Sequence, residues 1–585
     1  MPSLRSDRRA FLALCSSLGL TSTLFPGLLW GMLDGKPATR EMISEAATLA
    51  GITVADEYQE MMVKGLNEQL ESFEAIRKLA LPNSVPPSLL FDPVLPGMMF
   101  STAKQPMRMS RVTPPDVPKN LDDAAFYTVR QLAELMRTRK VSSSGLTEMY
   151  LERLKRYDPL LKFVVTLTED RARAQAREAD HDLAAGRYRG PLHGLPWGAK
   201  DLLAVKGYPT TWGAGGFDKQ VIDEDAAVVQ RLDRAGAVLV AKLTLGALAM
   251  GDVWFGGMTR NPWKIDQGSS GSSAGSASAT AAGCVAFAIG TETLGSISSP
   301  STRCGTTGLR PTFGRVPRSG AMALCWSMDK IGPICRAAED CALVLDAIYG
   351  PDGRDRTVRD AAFNWDAKLD PRKLRVGYLK AEFDREPKPE DVVKEKPEDT
   401  ARRVARKKFD AAALEVIRKL GINLVPVEIP DLPYEHMLSV LSAEAAAAFD
   451  DLTRSGHDRL LTTQKEQDWP NQFRVARFIP AVEYVQADRS RTLAMRAMAK
   501  VFEKFDVLVA PTTSTQLIAT NLTGHPAVIL PHGFRDEGTP ASITFLGNLY
   551  GEAAMLAVAR AYQEATEWHR RHPRLEGLQP TPEAK

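Results

Sequence analysis

The chain has 585 residues, 44% hydrophobic and 25% charged, the ordinary balance of a globular protein long enough for one large core or several domains. Its 74 basic and 71 acidic side chains leave a formal charge of +3, so the basic excess expected of a nucleic-acid binder is missing. Six cysteines without a CxxC pair and eight histidines without HExxH argue against a zinc ribbon, a thioredoxin-like centre or a helical zinc-protease site, and neither a metal nor a cofactor is expected.

The first element, residues 1–33, carries "SDRRAFLALCSSLGLTSTLFPGLLWGML", in which Arg8 and Arg9 precede Phe11 and Leu12 and no charge follows until Asp34. This pattern predicts a twin-arginine-type signal and hence a periplasmic or secreted protein. The same run also reads as an amphipathic or buried helix, in which case the protein stays cytoplasmic. As a helix, the uncharged run would reach about 36 Å, enough to cross a bilayer. Pro26 and the serines make it a poor permanent anchor, and no clean A-x-A cleavage site is present, so retention as a membrane tether stays open.

Residues 34–120 read as a helical extension followed by a proline-rich connector. Met61, Met62, Leu66, Leu70, Phe73 and Ile76 recur at helical spacing, and Pro82, Pro86, Pro87, Pro93 and Pro96 then break the pattern. From residue 121 the chain alternates helix-like and strand-like segments. "TVRQLAELMRTRKVSSSGLTEMYLERLKRYD" predicts two amphipathic helices, with the serines after Val141 as break and N-cap. "AAVVQRLDRAGAVLVAKL" predicts a helix, a turn at Gly236 and an apolar strand. The alternation predicts an α/β architecture. The charged, proline-bearing stretch from Glu382 to Lys408 reads as a solvated surface insertion.

Three stretches carry chemistry. "GLPWGAKDLL" ends an apolar strand-like run on Lys200; such a lysine is ordinarily a paired or snorkelling residue, but a buried one has a lowered pKa and becomes a usable base. "GSSGSSAGSASATAAG", Gly268 to Gly283, has a linker's composition yet runs straight into the apolar CVAFAIG. "GTETLGSISSP" follows that run. A strand ending in a glycine-flanked turn exposes a serine hydroxyl and several backbone N–H groups together, an arrangement suited to acyl transfer.

Together these stretches resemble the amidase signature family of serine hydrolases, whose pattern runs G-I-P-x-x-x-K-D, G-G-S-S-G-G-S and G-T-D-x-G-G-S-I-R-x-P. "TTWGA", "TRNPWK", "SMDKIGPICRAAEDCALVLDAIYG", "FDVLVAPTT" and "NLTGHPAVILPHGF" are family-like as well, so the resemblance spans residues 121–573, leaving 574–585 as a C-terminal tail. It implies one large α/β domain with a central mixed β-sheet flanked by helices. It also implies a Ser–Ser–Lys triad: Lys200 as base, Ser296 as nucleophile and a bridging serine after a cis peptide bond. The doubled GSS offers Ser269 or Ser272 as the bridge. The family's spacing of 24 residues and its G-G-S-A segment favour Ser272. The backbone N–H groups of Thr293, Leu294, Gly295 and Ser296 would form the oxyanion hole.

The implied activity is hydrolysis of a carboxamide in a small-molecule substrate, with the acyl pocket built from residues 430–500 and the N-terminal extension, whose composition suits apolar or aryl groups. This sequence departs from the pattern at Glu292, Leu294 and Ser298, and some peptide-amidase-like relatives carry the same G-T-E-T-x-G-S-I form. A positive φ at Leu294 would strain that residue. Two other readings stand beside the amidase: the glutamine-hydrolysing subunit of a tRNA-dependent amidotransferase, and a catalytically silent binding protein. The oligomeric state is open, a homodimer included.

Overall fold

A computed structural model of the chain describes residues 37–49, 54–77, 82–85, 89–113, 115–386 and 397–578. The signal or tether expected over residues 1–33 lies outside them. Among the described residues no helix is long and apolar enough to cross a membrane.

The described residues form two compact units. One comprises those up to Val85 together with Phe478–Glu483; the other comprises those from Pro86 to Arg477 and from Tyr484 onward. In the first, the expected helical pattern resolves into helices Arg40–Leu49 and Asp56–Arg77. Met42, Ile43 and Ala47 are buried, and Asn67 Oδ1 accepts from the Ala38 amide at 2.7 Å.

In the second unit, the described part of the proline-bearing connector, residues 89–113, has no helix and runs along the domain surface, where the Ser110 amide donates to Glu339 at 2.8 Å. Helices Val129–Arg137 and Ser143–Leu161 follow. The predicted break between them is capped by Ser142, whose hydroxyl accepts from the Gly145 amide. The helix Ala227–Arg234 likewise leads through Gly236 (φ +77°) into a strand, as its sequence predicts.

The strands, in chain order, are β1 (Val164–Leu167), β2 (Pro196–Lys200), β3 (Val238–Leu243), β4 (Val253–Trp254), β5 (Gly257–Met258), β6 (Arg260–Asn261), β7 (Lys264–Gly268), β8 (Phe287–Glu292), β9 (Thr307–Arg310), β10 (Lys330–Cys335), β11 (Val376–Leu379), β12 (Leu424–Val427), β13 (Val507–Pro511), β14 (Ala527–Phe534) and β15 (Pro540–Gly547). Strands β4–β7 make two small hairpins. The other strands form one 11-stranded mixed sheet in the order β1-β3-β2-β8-β10-β9-β14-β15-β13-β11-β12. Parallel pairing joins β3 to β2, β2 to β8, β13 to β11 and β11 to β12. Every residue of β2, β3 and β8 is buried, which explains why these strands read as continuous apolar runs and not as alternating ones. Trp197 and Phe287 stack across β2 and β8 on one face of the sheet, while Val238, Val240, Val285 and Ala288 pack on the other.

The described end of the charged insertion opens a helix. Residues 397–419 form a helix that begins on Pro397. Ala413, Leu414 and Ile417 bury one side of its second half, so tertiary packing carries the helix back into a segment whose local composition favours solvent.

Candidate functional site

Strands β2 and β8 are parallel neighbours, and their carboxyl ends carry Lys200 and the loop that leads to Ser296. Carboxyl ends of adjacent parallel strands are where α/β sheets place ligands. Between them sits the Gly/Ser stretch, which enters the helix Ala274–Ala281. Gly290 on β8 permits the approach: a Cβ there would lie 2.7 Å from Ser273 Oγ and 2.9 Å from Ser273 Cβ.

Lys200 is fully buried and its Nζ donates to Ser272 Oγ at 2.9 Å, Ser273 Oγ at 3.1 Å and Thr291 Oγ1 at 2.8 Å. Burial lowers its pKa to about 7, against the opposing pull of the Asp329 and Glu292 charges. Ser272, 1% exposed, follows a cis peptide bond from Gly271. Ser269, the alternative in the doubled GSS, instead gives its hydroxyl to the Ser270 carbonyl at 2.9 Å. Ser296 is joined to the pair through backbone, its carbonyl accepting from the Ser273 amide at 3.1 Å.

The turn around Ser296 is organised by Glu292, a residue for which the sequence suggested no role. Its Oε2 accepts from the amides of Ile297 (2.9 Å) and Ser298 (2.8 Å) and from Ser298 Oγ (2.8 Å). Its Oε1 accepts from Arg310 Nη1 at 2.8 Å and Asn521 Nδ2 at 2.9 Å. Burial would raise the Glu292 carboxyl, but the Arg310 charge and hydrogen bond, with Asn521 and the Ser298 amide, outweigh it and hold the pKa at about 2. Ser298, the departure from the family's arginine, is thus a ligand of this carboxylate. In the same turn Gly295 takes φ +85°, a conformation suited to glycine, and Leu294 is not among the residues with positive φ. The strain considered for Leu294 is therefore absent.

Asp329 and Asp201 also went without a role in the sequence. Asp329 accepts from Thr293 Oγ1 at 2.6 Å. Asp201, next to Lys200, pairs with Lys242 at 2.7 Å, both side chains fully buried. Neither aspartate stands out in the sequence, because its partner becomes a neighbour only once the strands are paired.

Beside the Ser272 loop runs the segment Gly246–Asp252: a Cβ on Gly271 would meet the Gly251 carbonyl. The Leu248 carbonyl of that segment accepts from Trp469 Nε1 at 2.9 Å. Trp469 stacks on Phe473, Phe473 on Phe449, and Phe449 lies edge-on to Trp212. Three of these four rings come from residues 430–500, and all four are buried in the hydrophobic core.

The amidase family model matches residues 145–519. The chain is 34% identical over 496 residues to a glutamyl-tRNA(Gln) amidotransferase subunit of Roseiflexus castenholzii, covering 77% of this chain and 97% of that protein. The corresponding protein of Acinetobacter baumannii is 33% identical, with 77% and 98% covered. The crystal structure of peptide amidase from Stenotrophomonas maltophilia superposes with a TM-score of 0.66 at 29% identity, covering 78% of this chain and all of that one.

Proposed function

Because the chain belongs to the amidase signature family, we propose that it hydrolyses the C–N bond of a carboxamide through an acyl-enzyme on Ser296. The observation that carries this reading is the 2.9 Å contact between the buried Lys200 Nζ and Ser272 Oγ, made by a lysine whose pKa lies at about 7. At neutral pH a substantial share of such a lysine is the free amine, able to take a proton from Ser272 while Ser272 takes one from Ser296.

In this scheme Ser296 Oγ bonds to the substrate carbonyl carbon, the C=O electron pair moves to oxygen, and the backbone N–H groups of Thr293, Leu294, Gly295 and Ser296 stabilise that oxyanion. Collapse of the adduct breaks the C–N bond. The proton on Lys200 passes back through Ser272 to the departing nitrogen, and water then releases the acyl group by the same relay. The composition of residues 430–500 supports an apolar or aryl acyl group in a small-molecule amide. Likeness to the peptide amidase favours this reading.

The amidotransferase subunits that the chain resembles support a second reading, glutamine hydrolysis within a complex. Isolation of the protein from its host distinguishes the two: partner subunits in stoichiometric amount would establish the second. We further propose export by the residue 1–33 segment; mass spectrometry of the mature N-terminus tests it, and an intact chain in the cytosol refutes it.

The decisive experiment for the chemistry is labelling of the full chain with a serine-directed fluorophosphonate. Label on the unsubstituted protein, absent from Ser296→Ala, is the expected result. No label on the unsubstituted protein would leave the silent binding protein as the better reading.

A further inference from the structure

Lys330 is a second lysine withdrawn from water beside the same loop, and the scheme above does not use it. It opens β10 directly opposite Glu292 in antiparallel register and is 3% exposed. Its Nζ donates to two carbonyls, that of Met328 and, at 3.5 Å, that of Thr293. Thr293 is held from its side chain as well, through the bond to Asp329.

The Thr293 carbonyl and the Leu294 N–H belong to one planar peptide unit and point to opposite sides of it. A donor on the oxygen therefore sets the direction of the N–H, and by drawing electron density toward oxygen makes that N–H a stronger donor. We propose that Lys330 is a positioning residue of the acyl-transfer site, holding the Thr293–Leu294 peptide so that the Leu294 N–H faces the developing oxyanion. This inference rests on the serine-hydrolase reading above and adds to it a second lysine with a different task.

The charged groups that act on Lys330 are Glu292 on β8, Arg310 on β9, Asp329 in the preceding turn and Arg491 on the helix Ala481–Phe502. Burial lowers its pKa to about 7, Arg310 and Arg491 lowering it further while Glu292 and Asp329 oppose them. The ammonium form, and with it the polarisation of the peptide, is then lost as pH rises through neutrality. Lys200 works in the opposite sense, since its amine form is the base.

The test uses the full chain and a fluorophosphonate, with the maximal labelling rate and the apparent affinity measured between pH 6 and 9. Lys330→Met removes the donor and keeps the volume. It should lower the maximal rate about tenfold, less than the 10²–10³ lost with a direct oxyanion donor, and leave the affinity unchanged. Lys330→Gln, which keeps an N–H for the carbonyl but cannot titrate, should recover most of the rate without the alkaline decline. An unchanged rate in Lys330→Met, or equal losses of rate and affinity in both variants, overturns the proposal. Should Lys330→Met fail to fold, Lys330→Gln decides alone, and a pH profile identical to that of the unsubstituted protein overturns it. Absence of label on the unsubstituted protein would instead sink the hydrolase reading, and this inference with it.

Discussion

Lys200 and Ser272 meet at 2.9 Å with both side chains shielded from water, the lysine completely so. Shielding matters more than distance here. In water the Lys200 amine would be almost wholly protonated at neutral pH and could donate to Ser272 but accept nothing from it.

This relationship predicts an acidic limb. Because burial lowers the Lys200 pKa to about 7, kcat/KM should fall as pH drops through that value, approaching tenfold per pH unit, as ammonium replaces amine. Lys200→Ala should lower it by roughly 10²–10⁴ at every pH and abolish the limb. The same shift bears on stability. The folded pKa lies below the ordinary 10.5, so between about 7 and 10.5 the unfolded chain binds more protons and stability rises with pH. Lys200→Met should therefore raise the melting temperature most at pH 6, and a variant no more stable there than the unsubstituted chain would contradict the buried-amine account.

Glu292 predicts a loss of another kind. Its carboxylate accepts five hydrogen bonds, one from the buried Arg310. Glu292→Gln leaves that guanidinium without its counter-charge, at a cost of about 3–5 kcal/mol, and loosens the turn that follows Ser296. Chemical denaturation and the fluorophosphonate labelling rate should both report it. The folded pKa of Glu292, about 2, lies below its ordinary 4.5. Its contribution is thus complete above pH 4.5 and lost as pH falls toward 2, so the variant should show a flatter acid-denaturation profile.

Gly290 predicts that room behind the serines is essential. In Gly290→Ala the new methyl would meet Ser273 Oγ at 2.7 Å and Ile334 Cδ1 at 2.9 Å. Overpacking of this kind costs about 1–3 kcal/mol. Because Ser273 adjoins Ser272 and binds Lys200, the rate of Ser296 labelling should fall further than stability alone explains. A fully active, merely less stable variant would show that the loop accommodates the methyl by moving elsewhere.

Much of the fold is legible in the chain itself. The apolar runs of β2, β3 and β8, the Ser142 cap and the turn at Gly236 follow from local preference and burial pattern, which act over a few residues. The helix from Pro397 was not legible, because its stability comes from Ala413, Leu414 and Ile417 packing on distant elements. Residues 89–113 show the same limit: their prolines predict an extended chain, and only side chains such as Glu339, 229 residues away from Ser110, decide where it lies.

The candidate site divides the same way. The chain alone carries the family resemblance, singles out Lys200 and Ser296, and favours Ser272 over Ser269 as the bridge, because motif spacing is a property of the chain. That Lys200 Nζ lies 2.9 Å from Ser272 Oγ, that Glu292 draws Ile297, Ser298, Arg310 and Asn521 to one carboxylate, and that Lys330 reaches the Thr293 carbonyl emerge only in three dimensions. The reason is physical. Hydrogen bonds and desolvation depend on ångström distances and on exclusion from water, and β8, β9, β10 and the helix Gln516–Thr523 come together only when the sheet pairs strands far apart in the chain.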